Sequence, residues 1–173
     1  MKKNIFYLIL LLFFTFIFTI FYICLDKPNF YTPKEIKNKS LEEFTSTELF
    51  SNEQFSSNDI IENNKFTLIN IWSSWCVPCR LEHSVLMDLS EKTDLNIVGL
   101  NYKDKKNNAI KFLNELGNPF SKILTDPDGI ISISLGAYGV PETLLLNNKS
   151  KIIRKYIGPL PKENIVEIIK IIK

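Results

Sequence analysis

The chain has 173 residues, 45% of them hydrophobic, and a formal net charge of +2. Lys2 and Lys3 carry that whole excess, so everything after residue 25 is charge-balanced and lacks the basic surface on which nucleic-acid binding depends. Composition excludes that class and says nothing further about chemistry.

Ile5 to Leu25 is an apolar run of 21 residues. As a helix it would be about 31 Å long, close to the roughly 30 Å hydrocarbon core of a bilayer. It ends in Phe21, Tyr22, Ile23, Cys24 and Leu25 rather than the small residues of a signal cleavage site, so it is expected to remain as a transmembrane anchor. Cys24 follows Ile23, not the small residue that a lipid-modified cysteine requires, and is read as a thiol at the outer end of that helix. Lys2 and Lys3 precede the run, and short basic flanks stay in the cytoplasm. The rest of the chain then faces outward, where dithiols can be oxidised.

Residues 26–40, with Pro28 and Pro33 and no apolar periodicity, are expected to form a tether. Residues 41–173 make one domain, large enough to bury a core without disulfide staples. Phe44 to Phe50 and Glu53 to Phe55 predict a hairpin, and Ser56 to Ile61 a helical turn. Phe66 to Trp72 predicts a buried strand, and Leu81, Val85, Leu86 and Leu89 recur at helical spacing from Cys76 to about Lys92. Leu95 to Leu100 reads as a strand, and Lys105 to Leu116 as a helix stopped by Gly117. Thr143 to Leu146 and Lys151 to Ile157 read as strands joined by a turn, and Ile165 to Ile172 as a closing helix. This succession predicts an α/β domain, a mixed sheet flanked by helices.

Trp75-Cys76-Val77-Pro78-Cys79-Arg80 falls where the strand ending at Trp72 hands over to a helix, the context in which C-x-x-C becomes a redox motif. Unpaired N–H groups and the positive end of the helix dipole favour a thiolate there, and only the thiolate attacks a disulfide. Cys76 is therefore expected to be the exposed nucleophile. Cys79, one turn further in, is expected to be the buried partner that resolves the mixed disulfide. Pro78 fits the first turn, where no intrahelical donor is needed. Structural zinc would need two more ligands, and beyond the pair the chain offers only Cys24 and the single His83. A structural disulfide spanning three residues would staple almost nothing. No metal or cofactor is expected.

Four stretches carry a resemblance: Asn70 to His83 (N-I-W-S-S-W-C-V-P-C-R-L-E-H), Gly99 to Asp104 (G-L-N-Y-K-D), Leu116 to Phe120 (L-G-N-P-F) and Gly136 to Thr143 (G-A-Y-G-V-P-E-T). Together they resemble the CcmG/DsbE family, thioredoxin-like reductases of cytochrome c maturation that are anchored in the inner membrane and face the periplasm. The resemblance implies a thioredoxin-like fold, Cys76 and Cys79 as the redox pair, and Pro141 as a cis-proline facing them. It implies that Glu82 and Glu142 are acidic groups beside the site, and that Trp75, Val140 and Pro141 meet the substrate. Asn70 stands where thioredoxin keeps a buried Asp, so proton transfer is expected to fall to Glu82 or Glu142. Either carboxylate, if ionised near Cys76, would oppose thiolate formation. From spacing alone, both carboxylates, like His83, would be polar surface residues of their elements.

The function expected is a membrane-anchored thiol-disulfide oxidoreductase that keeps the cysteines of apocytochrome c, or of a maturation helper protein, reduced before haem attachment. Its electrons would come from a transmembrane donor. The alternatives are a general extracytoplasmic thiol reductase or oxidant with the same pair, and a redox-inactive thioredoxin-fold binding module. The last has no use for two cysteines.

Overall fold

The structure, a computed structural model, describes residues 2–25, 39–61 and 64–173. The chain divides into two compact units, Met1–Lys34 and Glu35–Lys173. Most of the expected tether over 26–40 lies outside the described residues, as does the Cys24 side chain.

Helix α1 (Lys2–Leu25) makes up the described part of the first unit. Its stretch Lys3–Ile23 is long and apolar enough to cross a membrane. Its two threonine hydroxyls are satisfied internally: Thr15 Oγ1 donates to the Leu12 carbonyl at 2.9 Å and Thr19 Oγ1 to the Thr15 carbonyl at 2.7 Å. Self-contained hydroxyls are what a lipid environment demands of a helix.

In the second unit the hairpin β1 (Thr45–Thr47) and β2 (Gln54–Ser56) leads into α2 (Ser57–Ile61). Then come β3 (Phe66–Trp72), α3 (Val77–Lys92), β4 (Asn96–Tyr102), α4 (Lys106–Leu116), β5 (Lys122–Asp126) and α5 (Ile130–Ser134). The unit closes with β6 (Glu142–Asn147), β7 (Ile152–Ile157) and α6 (Lys162–Ile172). Five strands form one sheet in the order β5-β4-β3-β6-β7; β3, β4 and β5 run parallel, while β6 and β7 are antiparallel to their neighbours. This is the thioredoxin-like arrangement.

Two of these elements, β5 and α5, are absent from the strand and helix succession read in the sequence, which therefore comes one edge strand short. Lys122–Asp126 offers few apolar residues and pairs only with β4 in the sheet. The Asp126 carboxylate, itself buried, organises the five-residue α5 by accepting from Ile131 N, Ser132 N and Ser132 Oγ.

The strand period of two sorts β3 between two cores. Leu68 and Trp72 join Leu86 and Leu89 of α3, Phe112 of α4 and Ile168 of α6 on one face. Ile69 and Ile71 join Ile60, Ile61 and Leu135 on the other. Asn70 falls between Leu68 and Trp72 and therefore points to the α3 side. Trp72 lies 5.0 Å from the Phe112 ring and 5.6 Å from Phe120. Gly99 permits this packing, because a Cβ there would stand 2.8 Å from Trp72 Nε1 and 3.0 Å from Phe120.

Candidate active site

The chain leaves β3 at Trp72, turns through Ser73 to Trp75 and enters α3 with Cys76 as its N-cap. Cys76 Sγ accepts the Cys79 N–H at 3.1 Å, and the two sulfurs are joined as a disulfide. The N-cap position gives Cys76 the field of unpaired N–H groups that stabilises a thiolate once the bond is reduced. The expected contrast of an exposed Cys76 with a buried Cys79 is not seen in the disulfide: they are 4% and 2% exposed. Their asymmetry lies in position, since only the Cys76 sulfur caps the helix.

Three successive residues before Cys76 are tied to the end of β4. Ser73 Oγ donates to the Tyr102 carbonyl at 2.9 Å, and Trp75 Nε1 to the Lys103 carbonyl at 3.0 Å. Between them, Ser74 donates its N–H and its hydroxyl to the two oxygens of Asp104, at 2.6 and 2.8 Å. The stretch Asn101 to Asp104 thus acts as a clasp on the cysteine turn. Trp75 is 56% exposed, its indole lying outward with only the N–H engaged.

Register brings the proline to the same end of the sheet. Asn70 pairs with Thr143 and Ile71 with Glu142, and continuing that ladder places Pro141 across from Trp72. The Val140–Pro141 peptide bond is cis. Pro141 accepts the Gly158 N–H at 2.9 Å, and Val140 packs against the core cluster that contains both cysteines.

Glu82 and Glu142 are not surface residues. Glu82, one helical turn past Cys79, is 2% exposed. Its Oε1 accepts from Asn70 Nδ2 at 2.9 Å and its Oε2 from Leu160 N at 2.8 Å. Burial holds its pKa above the ordinary carboxylate value, with the two hydrogen bonds opposing. Asn70 Nδ2 also donates to Thr143 Oγ1 at 3.0 Å, so α3, β3 and β6 share one polar knot. Glu142 is 1% exposed and is compensated otherwise. Its Oε1 accepts from Tyr138 N and Gly139 N, and its Oε2 has the Lys155 ammonium 2.7 Å away as counter-charge. Its negative charge therefore reaches any thiolate weakened by a cation at contact distance.

His83 is buried against the Phe112 ring edge, 5.0 Å between centroids. Its Nε2 lies 3.0 Å from the Gly117 carbonyl, which can only accept, so that nitrogen carries the proton. Burial lowers its pKa below the usual 6.5, with the Gly117 bond opposing and the Arg80 charge adding. His83 links α3 to the end of α4. Lys155, Ser74 and Leu160 carry no signal in the sequence, because their roles arise from partners distant in the chain; the Asn-Tyr-Lys-Asp stretch is legible as a motif, but what it holds is not.

Comparison with known proteins bears on this geometry. Residues 36–169 match the Redoxin family. The thiol:disulfide interchange protein CycY of Rhizobium leguminosarum bv. viciae is 50% identical over 95 residues, 55% of this chain and 51% of that protein. The thiol:disulfide interchange protein DsbE of Escherichia coli K12 is 42% identical over 101 residues, 58% of this chain and 54% of that one. The chain thus spans about half the length of these curated relatives. A DsbF homologue from Corynebacterium diphtheriae superposes with a TM-score of 0.68 at 25% identity, covering 83% of this chain and 95% of its own. The thioredoxin domain of a thiol-disulfide oxidoreductase from Bacteroides vulgatus gives 0.67 at 17%, covering 79% and 98%, and speaks for the fold.

Proposed function

The chain belongs to the redoxin family, in its CcmG/DsbE group, and from that premise we propose that it is a membrane-anchored thiol-disulfide oxidoreductase that donates electrons to protein disulfides. The observation that carries this reading is the Cys76–Cys79 disulfide at the N-cap of α3, on the sheet end that also holds cis-Pro141. In the reduced protein the Cys76 thiolate attacks one sulfur of a substrate disulfide, forming a mixed disulfide and expelling the other substrate sulfur as a thiolate. Cys79, deprotonated, then attacks Cys76 Sγ and releases the second substrate sulfur. Two protons pass from the protein dithiol to the substrate thiols, and the state described here is the oxidised product.

Within this reading Glu82 is the group placed to relay the proton of Cys79, since it stands one turn away on the same helix with a raised pKa. Glu142 holds the loop before Pro141, and Trp75, Val140 and Pro141 provide the surface that a substrate peptide meets. The substrate class proposed is the disulfide formed by the cysteines of apocytochrome c, or by a maturation helper with them, and the oxidised Cys76–Cys79 pair would be reduced again by a transmembrane donor. The anchor α1 would keep Lys2 and Lys3 on the cytoplasmic side of the inner membrane and the thioredoxin-like domain in the periplasm.

The test is to equilibrate the full-length protein in detergent with glutathione and with dithiothreitol. A reductase should poise near thioredoxin's value of about −270 mV, an oxidant near about −120 mV. A disulfide-closed peptide carrying a Cys-x-x-Cys-His haem attachment motif should be reduced by the dithiol form; failure to reduce it rejects the cytochrome reading. A reporter active only outside the cytoplasm, fused after Lys173, should be active; a stable but inactive fusion reverses the topology.

A further inference from the structure

Lys155 stands on β7, in register with Leu144 of β6, and its side chain is only 9% exposed. A lysine so enclosed needs acceptors that converge on it. Three groups do so. Its Nζ lies 2.7 Å from Glu142 Oε2, donates to the Gly136 carbonyl, and stands 4.9 Å from the centroid of the Tyr138 ring. The other oxygen of Glu142 takes the N–H groups of Tyr138, at 2.7 Å, and Gly139, at 3.2 Å.

The ion pair therefore grips Gly136, Tyr138 and Gly139, which lie in the stretch directly before cis-Pro141. The far side of that proline is held from the end of the same strand, where Gly158 N donates to the Pro141 carbonyl. A buried ion pair contributes little net stability over a well-packed apolar pair of the same volume. What Lys155 supplies is direction: one ammonium fixes a carboxylate, a carbonyl and an aromatic ring relative to β7.

We propose that Lys155 is a positioning residue which, through Glu142 and the Gly136 carbonyl, sets the loop that presents the Val140 backbone, and so governs affinity for peptide disulfides. This rests on the disulfide-exchange reading above. Lys155 takes no part in the transfer of electrons or protons; it acts through the loop.

Two variants of the full-length protein in detergent test this, with a synthetic disulfide-closed peptide as substrate. Lys155→Met removes the ammonium but leaves the Glu142 carboxylate buried without its counter-charge, which destabilises the fold by itself. Lys155→Met/Glu142→Gln removes both charges while the glutamine oxygen can still accept from Tyr138 N and Gly139 N, so it isolates the grip of Lys155 on Gly136 and Tyr138. For the double variant KM for the peptide should rise about tenfold while kcat stays within about twofold, the signature of lost binding rather than lost chemistry. The reduction potential of the Cys76–Cys79 pair should stay at the parent value. A parent-like KM in the double variant overturns the proposal, as does a fall in kcat matching the rise in KM or a shifted potential. If the parent itself turns over no peptide disulfide, the exchange reading fails first, and this is seen before any variant is made.

Discussion

Asn70 Nδ2 donates to Glu82 Oε1 across 2.9 Å, joining the central strand to the helix that carries both cysteines inside the core. An amide in that strand can donate to the carboxylate, whereas an aspartate would face it with a second negative charge. The arrangement keeps one ionisable carboxyl, not two, at this junction of β3 and α3.

Glu82 should make stability depend on pH in a defined direction. Its folded pKa is raised above 4.5 by burial, so the folded state binds the proton more tightly than the unfolded one. The stability this provides is fully present below about pH 4.5 and is lost as the pH rises through the folded value. Urea unfolding of the parent and of Glu82→Gln from pH 4 to 8 should show the parent losing ground as pH increases. A pH-independent difference between the two would show that the carboxyl is not perturbed.

His83 acts with the opposite sign. Its folded pKa is lowered from 6.5 by burial, so the unfolded state takes up the proton first. Its contribution is present above about pH 6.5 and is lost as the pH falls through the folded value. His83→Gln, which keeps a donor for the Gly117 carbonyl, should flatten that part of the profile. The expectation fails if the parent and the variant decline in parallel below pH 6.5.

The two cysteines should be separable by trapping. Cys79→Ser should accumulate a mixed disulfide between Cys76 and a peptide substrate, visible by mass spectrometry, because no resolving thiol remains. The Cys76 thiol should titrate below the unperturbed value of about 8.5, as an N-cap thiol does. Accumulation in Cys76→Ser instead would reverse the assignment.

Gly99→Ala should destabilise the domain by about 1–3 kcal/mol, the range for overfilling a packed core. The added methyl would stand 2.8 Å from Trp72 Nε1 and 3.0 Å from the Phe120 ring. Denaturant unfolding of the single variant measures this directly; an unchanged midpoint would mean the Trp72–Phe120 stack yields without cost.

Much of the architecture could be read in the sequence because it is written in local periods. The apolar run from Ile5 to Leu25, the strand Phe66–Trp72 with a helix directly after it, and the Cys-Val-Pro-Cys turn between them each rest on neighbours a few residues apart. The edge strand β5 and the short α5 could not be read the same way. Lys122–Asp126 is too brief to show a period, and α5 is shaped by hydrogen bonds from the Asp126 carboxylate.

Tertiary structure alone decided what the polar residues do. By type, Glu82, Glu142 and Lys155 read as solvated surface, since lone charges are rarely buried. The fold encloses them because it delivers partners from far along the chain: Leu160 N lies 78 residues from Glu82, and Lys155 comes from a strand beyond the turn that follows β6. Likewise Ser74 meets Asp104 only because β3 and β4 end side by side. Hydrophobic burial is a property that a segment declares by its own pattern, whereas a buried charge is tolerable only once its counter-charge or donor has been brought to it, and that meeting is made by topology.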